Sequence, residues 1–278
     1  MKLFIVFLLA ISVSHLKAQT TKDTTEAPHH VVVYMRNGDE FKGIIISQDS
    51  RIVVLQTENG ILNLNAQNVN TIETDFTNGK FSFSNPNANG YFFSSTAIPL
   101  KKNTGYYQNL LLFGNLVNYG VTDNISIGGG LEFLSSLLGH PIWFFTPKVG
   151  FEVGKNLHAG AGLFMVGFEG QTVSLGYGVG TWGNKESNMT LGIGYGFAGS
   201  QMSHTPAIMI GGLHRVSKGI ALLSDNYIIP TDGGNTLMFG IEGIRILSRK
   251  NSFDVGVLLF PSDGLTYGIP FVGFQKAF

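Results

Sequence analysis

"TVSLGYGVGTW" (Thr172–Trp182) alternates a bulky residue with a small one at almost every step. Val173, Leu175, Tyr177 and Val179 share one parity, and Ser174, Gly176, Gly178 and Gly180 share the other. Successive side chains of a strand point to opposite faces, so a period of two predicts a β-strand with one apolar wall and one small wall. "MTLGIGYGF" (Met189–Phe197) repeats the pattern, with Leu191, Ile193, Tyr195 and Phe197 opposite Thr190, Gly192, Gly194 and Gly196. "SFDVGVLLF" (Ser252–Phe260) sets Phe253, Val255, Val257 and Leu259 against Ser252, Asp254, Gly256 and Leu258. A water-exposed antiparallel sheet buries its apolar face and shows charge on the other. Here the second face is Gly and Ser, and 13% of the 278 residues are charged, against a usual share of about 25%. The bulky faces are therefore expected to meet lipid, and the small faces to line a narrow closed cylinder.

The connections fall into two classes. In "YGVTDNISIGGGLEF" (Tyr119–Phe133) a short polar turn, "TDN", precedes a strand that should turn Ile125, Ile127 and Leu131 outward and Ser126, Gly128, Gly130 and Glu132 inward. "GKN", "NKES", "SKG" and "SRKN" are turns of the same kind. They alternate with longer connections such as "SSLLGHP", "GSQMSHT", "PTDGGN" and "PSDGLTYG". Twelve strands are expected, at about 91–99, 106–120, 125–134, 142–153, 157–168, 173–183, 188–198, 206–216, 220–229, 236–247, 252–260 and 269–278. Ten is the alternative, because Tyr91–Pro99 is a poor strand and Ile220–Ile229 is apolar on both faces. An even strand number, short turns at one end and longer loops at the other describe an outer-membrane barrel with both termini in the periplasm.

Lys2 followed by the 11 apolar residues "LFIVFLLAISV" (Leu3–Val13) is too short for a helical span, which needs about 17–25 residues. Residues 1–18 are expected to be a signal peptide cleaved after Ala18, and residues 19–30 a disordered polar stretch. Then "VVVYMR", "EFKGIIIS", "RIVVLQT", "ILNLN" and "VNTIE" make five short strands separated by tight turns, "NGD" the clearest of them. Residues 31–75 resemble a small SH3-like or Sm-like barrel, which the orientation above would place in the periplasm. The RNA-contacting loop residues of Sm-like proteins are not recognisable here. With 18 basic and 18 acidic residues, no nucleic-acid partner is expected. Residues 76–90, rich in Asn, Ser and Gly, read as a linker, and 91–278 as the large barrel.

The chain ends "GIPFVGFQKAF" (Gly268–Phe278), with Val272, Phe274 and Phe278 on one face. This resembles the terminal strand signal of Gram-negative outer-membrane β-barrel proteins, with Lys276 as a departure. The resemblance implies an all-β transmembrane antiparallel barrel in the outer membrane. It also implies contact with outer-membrane lipid and handling by the barrel-insertion machinery. Tyr106, Tyr107, Tyr119, Trp143, Trp182, Tyr227 and Phe253, near strand ends, are expected to form aromatic girdles.

Candidate chemistry is sparse. No cysteine is present and no histidine pair has zinc-like spacing, so neither a metal nor a cofactor is expected. "GVGTWG" and "GIGYGFAG" lack the following helix that a dinucleotide loop needs. Glu132, Glu152, Glu242 and Asp254 are expected on the lumen wall. They would either tune solute preference or belong to a salt-bridged network filling a narrow barrel, with Lys148 and Arg215 as partners. Some outer-membrane lipid hydrolases use a Ser and a His facing the bilayer, and "MSHT" (Met202–Thr205) has only a loop composition. The expectation is a small-solute channel or structural envelope protein that is not an enzyme. The alternatives are an outer-membrane lipid-modifying enzyme, and a soluble secreted β-protein binding a partner through residues 31–75.

Overall fold

Alternation of period two carries through almost the whole chain. A computed structural model describes residues 30–75, 79–230, 236–262 and 265–278. The expected signal peptide, the polar stretch up to residue 29 and the loop at 231–235 lie outside the described residues.

Five strands, β1 (His30–Met35), β2 (Glu40–Gln48), β3 (Ile52–Thr57), β4 (Gly60–Asn65) and β5 (Val69–Thr74), make a separate antiparallel sheet in the order β4-β3-β2-β1-β5. Val33, Val53, Leu55 and Leu64 form its core. Among the described residues no pairing joins β4 to β5, so the sheet keeps two edges.

The second sheet closes on itself. It comprises β6 (Gly105–Leu110), β7 (Gly114–Gly120), β8 (Ile125–Glu132), β9 (Trp143–Phe145), β10 (Lys148–Gly154), β11 (Leu157–Phe168), β12 (Gln171–Gly183), β13 (Ser187–Ala198), the two-residue β14 (Gln201–Met202), β15 (Ala207–Ser217), β16 (Ile220–Pro230), β17 (Thr236–Leu247), β18 (Asn251–Ser262) and β19 (Leu265–Ala277). One short helix, α1 (Phe133–Leu137), sits in the loop after β8. β9 and β10 share one wall position, both lying between β8 and β11, and β19 pairs with β6. The result is a closed antiparallel barrel of twelve strands, and closure removes every free edge.

The count agrees with expectation, but its first members differ. Residues 91–99 form no wall strand, and 106–120 is two strands rather than one. Leu111 and Leu112 adopt left-handed φ values of 50° and 70°, which turn the chain between β6 and β7.

Facing follows the alternation on β8, β13 and β18. Ile125, Ile127, Leu191, Ile193, Phe253, Val255 and Val257 are exposed on the outer wall, and Asp254 is buried inside. An apolar belt of this extent needs a non-aqueous surrounding.

On β12 the expected facing is inverted. Val179 and Tyr177 pack inward with Ala97 and Met209, whereas Trp182, of the other parity, is exposed outside. The register explains the reversal. Tyr177 stands opposite Gly162 of β11 and Gly194 of β13, and Val179 opposite Gly160 and Gly192. A side chain at Gly162 would overlap the Tyr177 hydroxyl, so the neighbouring glycines are the holes these two residues fill. Tyr227 likewise points inward, packed beside that cluster, and so is no member of an outer girdle. Tyr119, Trp143, Trp182 and Phe253 do lie exposed.

Candidate functional site

The lumen holds the chain's own segment. Phe81, Phe83, Ser84, Asn85, Asn87, Ala88, Asn89, Tyr91, Phe92, Thr96, Ala97, Ile98 and Leu100 are all buried. The described part of the expected linker, residues 79–90, and the expected first strand are therefore a plug. Tyr91 and Phe92 form one apolar cluster with Leu213, Leu223, Ile241 and Phe271 of the wall. The Phe92 and Phe271 rings meet edge to face at 5.1 Å. The plug lacks a β-ladder, so its asparagines supply partners. Asn85 Oδ1 accepts from Asn87 N at 3.0 Å, and Asn89 Nδ2 donates to Ile98 O at 3.0 Å.

Charged wall residues clamp this backbone. Arg245 is fully buried and spends all five N–H donors. Nε and Nη2 donate to Asp254 Oδ1 and Oδ2 at 2.7 and 2.8 Å. Nη1 donates to Asn87 O (2.6 Å) and Gly90 O (3.1 Å), and Nη2 to Tyr91 O (2.9 Å). Asp225 accepts from Phe93 N (2.9 Å), Ser94 N (3.0 Å) and Ser94 Oγ (2.6 Å). Lys148 Nζ donates to Thr96 O (3.0 Å) and Ile98 O (3.2 Å). Arg215 donates to Phe83 O at 2.8 Å, pairs with Glu186 at 2.7 Å and lies over the Phe81 and Phe83 rings. Thr181 Oγ1 accepts from Ala97 N at 2.7 Å.

The five-stranded sheet docks at the short-turn end of the barrel. Lys185, in the turn between β12 and β13, reaches Glu73 Oε2 at 2.8 Å and Tyr34 Oη at 3.0 Å. Lys101 lies 3.5 Å from Glu73, and Glu40 accepts from Ser84 N at 2.6 Å. Burial alone would lower the Lys185 ammonium pKa, but Tyr34 and Glu73 outweigh it and hold it raised. Burial alone would raise the Glu73 carboxyl, but Lys185 and Lys101 outweigh it and hold it lowered. Burial pushes the Tyr34 hydroxyl and the Glu40 carboxyl up. A polar cavity of about 480 Å³ lies between sheet and barrel mouth, lined in part by Glu73, Lys101, Glu152 and His158.

Among the described polar groups of the outer wall, two carry a hydroxyl beside a histidine or a carboxylate. Ser187 Oγ lies 2.9 Å from His214 Nδ1, paired across β13 and β15 at the short-turn end. Midway along β16 and β17, Ser224 Oγ donates to Glu242 Oε1 at 2.8 Å. Asn226 Nδ2 donates to Ser224 Oγ at 2.7 Å and to Glu242 Oε1 at 3.2 Å.

The four expected lumen carboxylates thus separate. Asp254 is inside and is the partner of Arg245. Glu132 shares the inward parity of β8 but lies at the rim, where it caps α1 by accepting from Leu134 N at 2.9 Å and from Ser135 N. Glu152 lines the mouth cavity. Glu242 is corrected to the outer wall. Its neighbours Ile241 and Arg245 are buried in the lumen, and odd parity there forces position 242 outside. Of the two expected cationic partners, Arg215 meets Glu186 and Lys148 meets plug carbonyls, not any of the four. Arg245, Asp225 and Glu186 were missed. The available signal was an arginine in a strand, "MFGIEGIRIL", whose one other charged residue is Glu242.

Fold and site define a transmembrane-type β-barrel stoppered by its own N-terminal segment, of the outer-membrane kind. The sequence matches no protein-family model and no curated protein. Among solved structures it is similar to OmpT, an outer membrane protein of Vibrio cholerae, in a form lacking loop L8. Identity is 14% and the TM-score 0.36, over 90% of this chain and 97% of that one. Outer-membrane expressed OmpT of the same organism gives 12% identity and a TM-score of 0.32, over 90% and 95%. The expectation that the chain is not an enzyme is withdrawn. It rested on finding no convincing polar groups on the outer wall, and Ser187–His214 and Ser224–Asn226–Glu242 are such groups.

Proposed function

We propose that this protein is a stoppered outer-membrane barrel that holds its five-stranded module, read as SH3-like, at the periplasmic mouth. In this reading both termini face the periplasm, the wall contacts outer-membrane lipid, and the module offers a surface to an envelope partner. The observation that carries the reading is the plug: Arg245, Asp225 and Lys148 together grip the backbone of residues 87–98 inside the lumen. A free diffusion channel needs an unobstructed path, and here a buried segment crosses the lumen bonded to the wall. In a planar bilayer the purified protein is expected to show no steady conductance. Asp225→Ala, which releases the Phe93–Ser94 turn, is expected to produce intermittent conductance. A steady ohmic current from the unaltered protein ends this reading.

A second reading, a lipid-modifying enzyme, is favoured by the Ser187–His214 pair on the outer wall. His214 would take the Ser187 proton as Oγ attacks an acyl-ester carbonyl. The acyl group passes to Ser187, and the alcohol leaves with the proton; water then cleaves the acyl-enzyme and restores the hydroxyl. Fatty-acid release from phospholipid vesicles, lost in Ser187→Ala, is the expected result. No release by the unaltered protein eliminates it.

A further inference from the structure

We infer that Ser224, Asn226 and Glu242 form the contact surface for a second copy of this chain within the membrane. All three project outward halfway along β16 and β17. With the wall in outer-membrane lipid, as proposed above, hydrocarbon surrounds that depth and neither water nor lipid headgroups reach it. Polar groups placed there need partners carried by protein, and intramembrane ionisable residues mark function more often than accident.

The internal hydrogen bonds use both N–H donors of Asn226, the Ser224 hydroxyl proton and Glu242 Oε1. Among the described residues, Glu242 Oε2 and Asn226 Oδ1 have no partner. Hydrocarbon favours the protonated acid over the carboxylate. The free groups are then one donor, the acid O–H, and one acceptor, the amide oxygen. A twofold axis beside them brings each donor onto the other copy's acceptor, giving two reciprocal Glu242–Asn226 bonds. A copy of the chain meets this requirement by symmetry, with no further residue.

The flanks suit close approach. Gly212 stands opposite Ser224 on β15, and Gly240 opposite Asn226 on β17. Small residues around polar groups are the usual composition of contacts between membrane segments. The Ser187–His214 pair and the plug take no part, so the inference rests on one element of the first reading alone, the contact of the wall with outer-membrane lipid.

The test uses the full chain in lipid nanodiscs and in mild detergent, with mass measured by light scattering. A dimer is expected, and Glu242→Leu is expected to raise its dissociation constant at least tenfold. Glu242→Gln, which keeps a donor at that position, is expected to retain the dimer. A heat-dependent gel shift establishes that each variant is folded. The chain has no cysteine, so single cysteines report proximity. Val257→Cys, beside Glu242 on the outer face, is expected to give a disulfide-linked dimer under mild oxidant. Ile127→Cys, on the β8 wall, is not. A monomer in nanodiscs, a dimer indifferent to Glu242→Leu, equal cross-linking through both cysteines, or stoichiometric capture of a different protein by this face each overturns the inference.

Discussion

Arg245→Ala is expected to destabilise the barrel by about 3–5 kcal/mol, the usual result of removing one member of a buried ion pair. Asp254 is left buried and without its bidentate partner. The carbonyls of Asn87, Gly90 and Tyr91 also lose their donors in a lumen that admits little solvent. The second loss distinguishes this residue from an ordinary ion pair, because it unfastens the plug as well as weakening the wall. Urea unfolding in liposomes measures the first effect and conductance the second. The double variant Arg245→Met/Asp254→Leu separates them. It removes both charges together, so much of the stability should return. The plug carbonyls still lack donors, so leakage should remain. If Arg245→Ala unfolds at the same urea concentration as the parent protein and passes no more current, the clamp does not hold the plug.

How far the sequence disclosed this arrangement depends on what decided each feature. Strand positions from residue 125 onward were readable because alternation is a local property; 91–99, expected as a strand, belongs to the plug. β13 and β18 were also oriented correctly, since a bulky parity faced a small one and lipid took the bulky side. β12 has the same alternation and the opposite orientation. Its facing is decided by Gly160, Gly162, Gly192 and Gly194 on the adjacent strands, which pattern within one strand does not contain. Glu242 was misplaced for a related reason. Each parity of β17 is apolar but for one charge, Glu242 on one and Arg245 on the other, so the sequence does not say which faces in; the plug carbonyls that Arg245 meets decide it.

The plug was hidden by composition. Asn, Ser and Pro in "SFSNPNANG" read as a solvated linker because these residues satisfy a backbone that has no ladder. A polar lumen asks for the same service, with wall side chains in place of water. The distinguishing signal was aromatic: Phe81, Phe83, Tyr91 and Phe92 within about a dozen residues are too many for a stretch bathed in water. The polar outer wall left no comparable trace. Ser187 and His214 are 27 residues apart, and only the β13–β15 register brings them together.

The seat of Tyr91 is the place where plug and wall depend most closely on each other's shape. Its hydroxyl donates to Asn188 Oδ1 at 2.7 Å and sits 2.8 Å from Thr190 Oγ1. Its ring lies against Gly211, where any Cβ would overlap it. Tyr91→Ala is expected to cost about 3–5 kcal/mol, as for other large buried aromatics cut to alanine. Gly211→Val, alone, forces a buried ring to move and is expected to cost about 1–3 kcal/mol. Together the two changes should cost less than their sum by about 1 kcal/mol or more, because the valine occupies space the tyrosine has vacated. Urea unfolding of the four proteins in the cycle measures this coupling. Simple additivity would mean that residue 91 does not pack on β15, and would leave the plug without its principal apolar anchor.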